Sequence, residues 1–475
     1  MSKPLPAGSR AGAVARARDY VRSGAFEAEL ARRVAVRTES QLLPASLPEL
    51  SRYLEGEMRP AFEAMGFACR IYPNPRAGQG PVLLATRHED TARPTVLGYG
   101  HGDVILGLDE QWTRGKGPWL AARDGDRLYG RGTADNKGQH TINMAALRCV
   151  LAERGGRLGF NAKFMIEMGE EAGSKGLAEL VSANKGDFAA DVLVASDGPR
   201  AAADRPTLTL GCRGALNLDL VCDLREGGHH SGNWGGLLAN PALILANALA
   251  TIVDRNGALR VDGLKAPAMS AAVRAALADV TVDGGDKGPA IDAWWGEPGL
   301  TPSERVYGSN VFNVLAFGAG TPGRPVNAIP PKAVAHCQLR FVAGTDIATI
   351  RPILQRHLAA HGFTEVAVAD PPGSNDGGFA ATRTEPDHPW AQWALASVKR
   401  SSNTKPAMIP QMGGSICNDI FTDLLGMPTL WLPHSYASCS QHAPDEHILL
   451  SLSQSAAEVM AGLYFDLGEA GVPGK

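Results

Sequence analysis

Short apolar runs that stop at an acid or a histidine, separated by stretches of helical periodicity, constrain this chain more tightly than anything else in its 475 residues. Residues 94–99 (PTVLGY) lead directly into Gly-His-Gly-Asp at 100–103. Residues 161–167 (NAKFMIE) lead to Glu170 and Glu171, and the run at 189–195 leads to Asp197. Apolar runs of this length, alternating with helices, predict an α/β architecture with a largely parallel central sheet. In such sheets ligands collect beyond the carboxyl ends of the strands. The pattern therefore places His101, Glu170, Glu171 and Asp197 at one edge of the sheet.

The remaining segments suggest how the chain is divided. Helical spacing predicts helices over 12–34, 47–65 and 137–154, the last with Met144, Leu147, Val150 and Leu151 on one face, and 81–86 reads as a further strand. Near 211 the character changes. Residues 207–210 and 215–222 alternate apolar and polar, as half-exposed antiparallel strands do, and so does 334–342. Helices are expected at 241–253, 268–279 and 346–361, a surface loop at 282–289 and a linker at 371–378. A helix at 388–400, a strand at 427–432 and a helix at 449–465 complete the chain. This length exceeds one ordinary core. The simplest partition is a catalytic domain of 1–210 and 381–475 with an α+β domain, 211–380, inserted between.

Composition excludes several classes of partner. A net charge of −3 gives no reason to expect nucleic acid or an anionic membrane surface. No apolar run reaches the roughly 18 residues of a membrane span. The N-terminal Met-Ser-Lys-Pro-Leu-Pro lacks the apolar core of a signal peptide. Seven cysteines at irregular spacing, none in a Cys-x-x-Cys pair, argue against a disulfide framework. The expected compartment is the cytoplasm.

The polar residues supply the parts of a two-metal hydrolytic site. His101 offers a ring nitrogen, and Asp103 can orient that ring. Asp135, inside Gly-Thr-Ala-Asp-Asn-Lys-Gly at 132–138, is a short carboxylate able to bridge two ions. Of Glu170 and Glu171, one can bind metal while the other serves as base. His442 follows in Gln-His-Ala-Pro-Asp-Glu at 441–446, with His434 and His447 as rivals. Each residue alone has a bland explanation: Asp135 could cap the helix that follows it, and the paired glutamates could be a solvated turn.

The order His-x-Asp, Asp, Glu-Glu, Asp, His resembles the dinuclear-zinc peptidase family that includes carnosinase, cytosolic dipeptidases, aminoacylase, glutamate carboxypeptidase and succinyl-diaminopimelate desuccinylase. The likeness extends over nearly the whole chain. It is nearest the carnosinase-like branch through LYGRGTADNKG (128–138), EEAGSKG (170–176), SDGP (196–199) and GCRG (211–214). The resemblance implies a zinc-peptidase-like catalytic domain and an inserted lid and dimerisation domain. It also implies two divalent ions, zinc in such enzymes, with manganese or cobalt compatible with the donors. His101 and Asp197 would be ligands of one ion, Glu171 and His442 of the other, and Asp135 of both, with a cis peptide bond after Asp135. Glu170 would be the general base and Asp103 the orienter of His101. His230, favoured over His229 by the His-Ser-Gly spacing, would be the lid histidine that reaches the substrate carbonyl in a homodimer. Arg340 would take the substrate carboxylate, helped by the loop holding Gly414 and Ser415.

The chain departs from that pattern at Asn327, where threonine is usual, at Cys417, where proline is usual, at Pro410, Gln411 and Met412, and at Ala343. These positions are expected to line the ends of the substrate. The implied activity is hydrolysis of dipeptides or similar small amides. An N-acyl-amino-acid deacylase is the alternative, and a catalytically silent binding relative is a remote third.

Overall fold

The computed structural model describes residues 8–282, 289–372, 378–469 and 471–473. The first seven residues, most of the loop expected at 282–289 and most of the linker expected at 371–378 lie outside them. The chain divides into two compact units. The larger comprises the residues up to Gly211, Arg383–Met412 and Ile416 onward. The smaller comprises Cys212–Thr382 with Gly413–Ser415.

The larger unit is built on an eight-stranded sheet ordered Ala68–Tyr72, Val82–Arg87, Asn161–Glu167, Thr95–His101, Val192–Ala195, Thr429–Trp431, Thr207–Thr209, Ala407–Ile409. Its four central strands run parallel. Val82–Arg87 and Ala68–Tyr72 close one side antiparallel. The central strands are buried on both faces, as parallel strands covered by helices must be. The helix Lys137–Glu153 is buried almost all round. It packs against Thr95–His101 and against the helices Arg10–Arg22 and Leu450–Leu467.

Three sequence expectations need correction here. Thr207–Thr209 is not a half-exposed antiparallel strand. It is buried and pairs parallel with Ala407–Ile409, meeting Trp431 antiparallel. The helix expected over 12–34 is two helices, Arg10–Arg22 and Ala25–Val34, because Gly24 takes a left-handed φ of 83° that interrupts the first. The helix expected over 47–65 contains one widened turn, Leu54–Met58, just before Pro60, whose missing N–H cannot continue the regular ladder.

The smaller unit is an antiparallel sheet ordered Val311–Ala319, Lys332–Phe341, Gly214–Asp223, Val366–Ala369. Leu216, Leu218, Leu220 and Cys222 alternate onto one face. There they pack with Leu339 and Phe341 and with Leu245 and Leu354 from the helices Pro241–Ile252 and Ile347–Ala360. Each such leucine contributes roughly 1.5–3 kcal/mol of burial. The edge strand Val311–Ala319 was not foreseen from sequence. Among the described residues no helix is long and apolar enough to cross a membrane.

The start of the Lys137–Glu153 helix fixes the loop before it. A Cβ on Gly138 would lie 1.9 Å from the Thr133 carbonyl oxygen. Gly138→Ala must therefore push the 132–136 loop off the helix. We expect a loss of about 1–3 kcal/mol in denaturant unfolding. Unchanged stability would contradict this close approach.

Candidate metal centre

His101 is the last residue of its strand and is fully buried. Its Nε2 lies 3.0 Å from Asp135 Oδ1 and 3.6 Å from Asp197 Oδ2. Its Nδ1 lies 3.0 Å from the backbone carbonyl oxygen of Asp103. Asp197 follows the next parallel strand and accepts the Gly198 N–H at 2.6 Å. Asp135 is the shared member of the site. Its Oδ2 accepts from Gln441 Nε2 at 2.5 Å and lies 3.0 Å from His442 Nε2. That same His442 nitrogen is 3.1 Å from Glu171 Oε2. The peptide bond Asp135–Asn136 is cis. Asp135 does not cap the following helix, whose N-cap is Asn136 with no side-chain cap bond.

The glutamates are positioned differently from the sequence expectation. They do not sit at the strand end but three residues beyond it, on the short 3₁₀ turn Glu170–Ala172. Asp103 holds that turn: its two carboxylate oxygens accept the N–H groups of Glu170 and Glu171 at 3.2 and 3.1 Å. Asp103 Oδ1 also lies 3.5 Å from His101 Nδ1. Glu170 Oε2 is 3.9 Å from His101 Nε2. Of the three histidines near the C-terminus, His434 is engaged by Ser196 and Asn143 and His447 by Tyr436. His442 is the one that meets the carboxylates. Ser440, His442 and Asp445 all take left-handed φ values near 60°. Conformations of that kind cost of order 1–3 kcal/mol each and persist only where the surroundings impose them.

The electrostatics show what this cluster lacks. Burial raises the Glu170 carboxyl well above its ordinary value, Asp197, Glu171 and Asp135 add to the shift, and His101 opposes it. Burial, then Asp135, pushes Glu171 to about 7 and Asp197 to about 6. Asp135 is the exception. Burial works to raise it, yet hydrogen bonds from His101, His442 and Gln441 hold it well below the carboxylate range. Hydrogen bonds to Asp135 and Glu171 push His442 to about 11. Negative charge is thus in excess in a buried place, which bound cations relieve. Two groups of ligand atoms, His101–Asp135–Asp197 and Asp135–Glu171–His442, each lie within 4.8 Å of one another. Mixed imidazole and carboxylate donors of this kind suit zinc, manganese or cobalt. The residues fit a pair of divalent ions sharing Asp135.

The other candidate residues belong to the smaller unit. Arg340 donates from Nη1 to Ser415 Oγ at 3.0 Å and from Nε to Gln338 Oε1 at 2.9 Å, and Ser415 Oγ donates to the Arg213 carbonyl at 2.7 Å. Gly414 adjoins Ser415. His230 is exposed and pairs in register with Ala328, beside Asn327, whose carbonyl accepts the Ser231 N–H. Cys417 and Gln411 are buried in the larger unit, Cys417 Sγ lying 3.5 Å from Tyr99 Oη and from Glu167 Oε1. Sequence reasoning missed Glu446 and Arg131, a fully buried pair at 2.7 Å behind Asp135. The signal available was the acid that closes the 441–446 motif.

Residues 97–466 match the model of peptidase family M20/M25/M40. The chain is 30% identical to a cysteinylglycine-S-conjugate dipeptidase of Corynebacterium striatum over 294 residues, 60% of this chain and 62% of the relative. It is 36% identical to a Beta-Ala-His dipeptidase of Mus musculus over 187 residues, 39% of this chain and 37% of the relative. The matched stretches thus span less than two thirds of either relative's length. In fold, the chain is similar to the crystal structure of an M20 family metallo-carboxypeptidase from Sulfolobus solfataricus. That likeness has a TM-score of 0.77 and 23% identity, and covers 93% of this chain and 99% of the other.

The shifts above fix the sign of a pH effect in metal-free protein. Raised carboxyls at Glu171 and Asp197 stabilise the fold fully below their ordinary values, 4.5 and 3.8, and lose that contribution as pH climbs through about 6 and 7. His442 acts in the same direction above its ordinary 6.5. The depressed Asp135 gives up its contribution only below its ordinary 3.8. Metal-free protein should therefore melt at a lower temperature near pH 8 than near pH 5.5, and a divalent cation should raise the melting temperature more at about pH 8. A metal-free melting temperature that rises over that interval would contradict the charge excess.

Proposed function

The chain belongs to peptidase family M20/M25/M40, and from that premise we propose that it hydrolyses dipeptides or similar small amides with two divalent cations held around Asp135. The observation that carries this reading is the pair of ligand groups sharing Asp135, with the Glu170 carboxylate beside them. Bound there, the cations, which we take to be zinc, would supply Lewis-acid polarisation of the scissile carbonyl and acidify a water molecule.

The chain's own residues do the rest. Glu170 takes the proton of the attacking water and returns it to the leaving amine. Asp103 keeps that base in register with Glu171 and His101 through the hydrogen bonds it accepts from the 170–171 backbone. In the smaller unit, His230 donates to the oxyanion as it develops. Arg340 offers a planar fork to the substrate carboxylate, its direction set by Gln338 and Ser415. Gly414 and Asn327 complete the contacts to the substrate ends.

Dipeptides are favoured over N-acyl amino acids because the two curated relatives are named as dipeptidases. A catalytically silent relative is disfavoured because no ligand or base of the expected set is missing. We further propose a homodimer. The edge strand Val311–Ala319 exposes Val314, Leu315 and Phe317, an apolar edge that pairs with no further strand among the described residues and is of the kind that a second copy covers. Seven free cysteines fit the reducing cytoplasm.

Amine release from a panel of dipeptides and N-acyl amino acids, with and without chelator, tests the activity. Chelator-sensitive dipeptide cleavage is expected, and cleavage of acyl amino acids alone would transfer the protein to the deacylase reading. Glu170→Gln should lower turnover by about 10²- to 10⁴-fold while cation content is retained. Near-normal turnover would remove Glu170 from the role of base. In sedimentation, Leu315→Glu should shift a dimer to monomer, and a monomeric unaltered protein would refute the dimer.

A further inference from the structure

The 441–446 segment carries His442, yet its last residue is held more tightly than the ligand itself. Glu446 is 1% exposed, and the 130–135 loop engages every acceptor it has. Its backbone carbonyl accepts the Gly130 N–H at 3.0 Å. Its Oε1 accepts the N–H groups of Ala134 at 2.9 Å and Asp135 at 3.0 Å. Its Oε2 accepts from Arg131 Nη1 at 2.7 Å, and Arg131 is itself 1% exposed. Four hydrogen bonds thus pass from one residue into the loop that ends at the shared ligand. His442 stands four residues earlier on the same segment.

The other ligands are positioned by different means. His101 and Asp197 follow parallel strands, and Asp103 holds the turn that presents Glu171. Freeing the Glu446 anchor therefore loosens two of the three ligands in the Asp135–Glu171–His442 group. It loosens only one in the His101–Asp135–Asp197 group.

We propose that Glu446, paired with Arg131, is a positioning residue that sets the separation of Asp135 from His442 and thereby the affinity of the cation site they form with Glu171. Groups that orient metal ligands from behind in this way change metal affinity by about 10- to 100-fold when removed.

Cobalt(II) titrated into metal-free protein, followed by its visible absorption and by calorimetry, measures both steps of binding. With Glu446→Gln, one step should weaken by about 10- to 100-fold and the other far less. The weakened step should be the one whose spectrum is lost in His442→Ala. A purely structural role for Glu446 would lower the melting temperature and leave the two affinities unchanged or weaken both alike, and either result overturns the proposal. If Glu446→Gln does not fold, Arg131→Lys, which keeps the charge but not the reach of the guanidinium, is titrated instead with the same split expected. The inference rests on the two-cation reading. Unaltered protein that binds fewer than two ions fails that reading, whereas unaltered and Glu446→Gln proteins that bind two ions alike fail only this one.

Discussion

Too many buried carboxylates around one shared aspartate is the constraint on which the larger unit depends. Asp103, Asp135, Glu170, Glu171 and Asp197 converge on two imidazoles, and the ion pairs these carboxylates make among the described residues are with His101 and His442. Asp135 is stabilised as an anion, because His101, His442 and Gln441 all donate to it. Glu170, Glu171 and Asp197 are held toward the protonated state. A pair of divalent ions would answer this imbalance directly, and the fold is arranged to present the candidate ligands. Parallel strands end at two of them, an aspartate-held turn presents a third, and the buried Arg131–Glu446 pair ties together the segments of the last two. Removing one member of such a buried ion pair typically costs about 3–5 kcal/mol, so the tie is also a structural element.

Much of this was legible in the sequence, but unevenly. His101 and Asp197 could be read because an apolar run stopping at a polar residue marks both a strand end and a ligand edge. Asp135 and His442 could not be read that way. They lie in loops whose paths are set by contacts with distant residues, and only the order of the whole set, matched to a known family, singled them out. Glu170 and Glu171 were assigned to a strand end although they sit on a turn, because the Asp103 contact that shapes this turn links positions far apart in sequence. Glu446 was not singled out, since burial and partnership with Arg131 leave no local periodicity.

The secondary structure failed where local patterning and tertiary burial disagree. TLTL at 207–210 alternates as a half-exposed strand would, yet it is buried on both faces within the large sheet. Val311–Ala319 was missed because its exposed run, Val314 to Gly318, breaks the alternation that signals a strand with one buried face. Cys417, expected near the ends of the substrate as a departure from the family pattern, is buried with its thiol against Tyr99 and Glu167, a contact between positions far apart in sequence that no local pattern signals. The chain's departures from its family thus fall into two kinds. Some, such as Cys417, are buried in the core. Asn327 instead lies beside the exposed His230, its carbonyl accepting the Ser231 N–H.

The most direct measurement is anomalous diffraction from crystals of the cation-loaded protein at the metal absorption edge. Two peaks about 3.5–4 Å apart, one on each side of the Asp135 carboxylate, are expected for a bridged pair. A single peak, or two peaks with Asp135 bound to only one of them, would contradict the shared-aspartate centre.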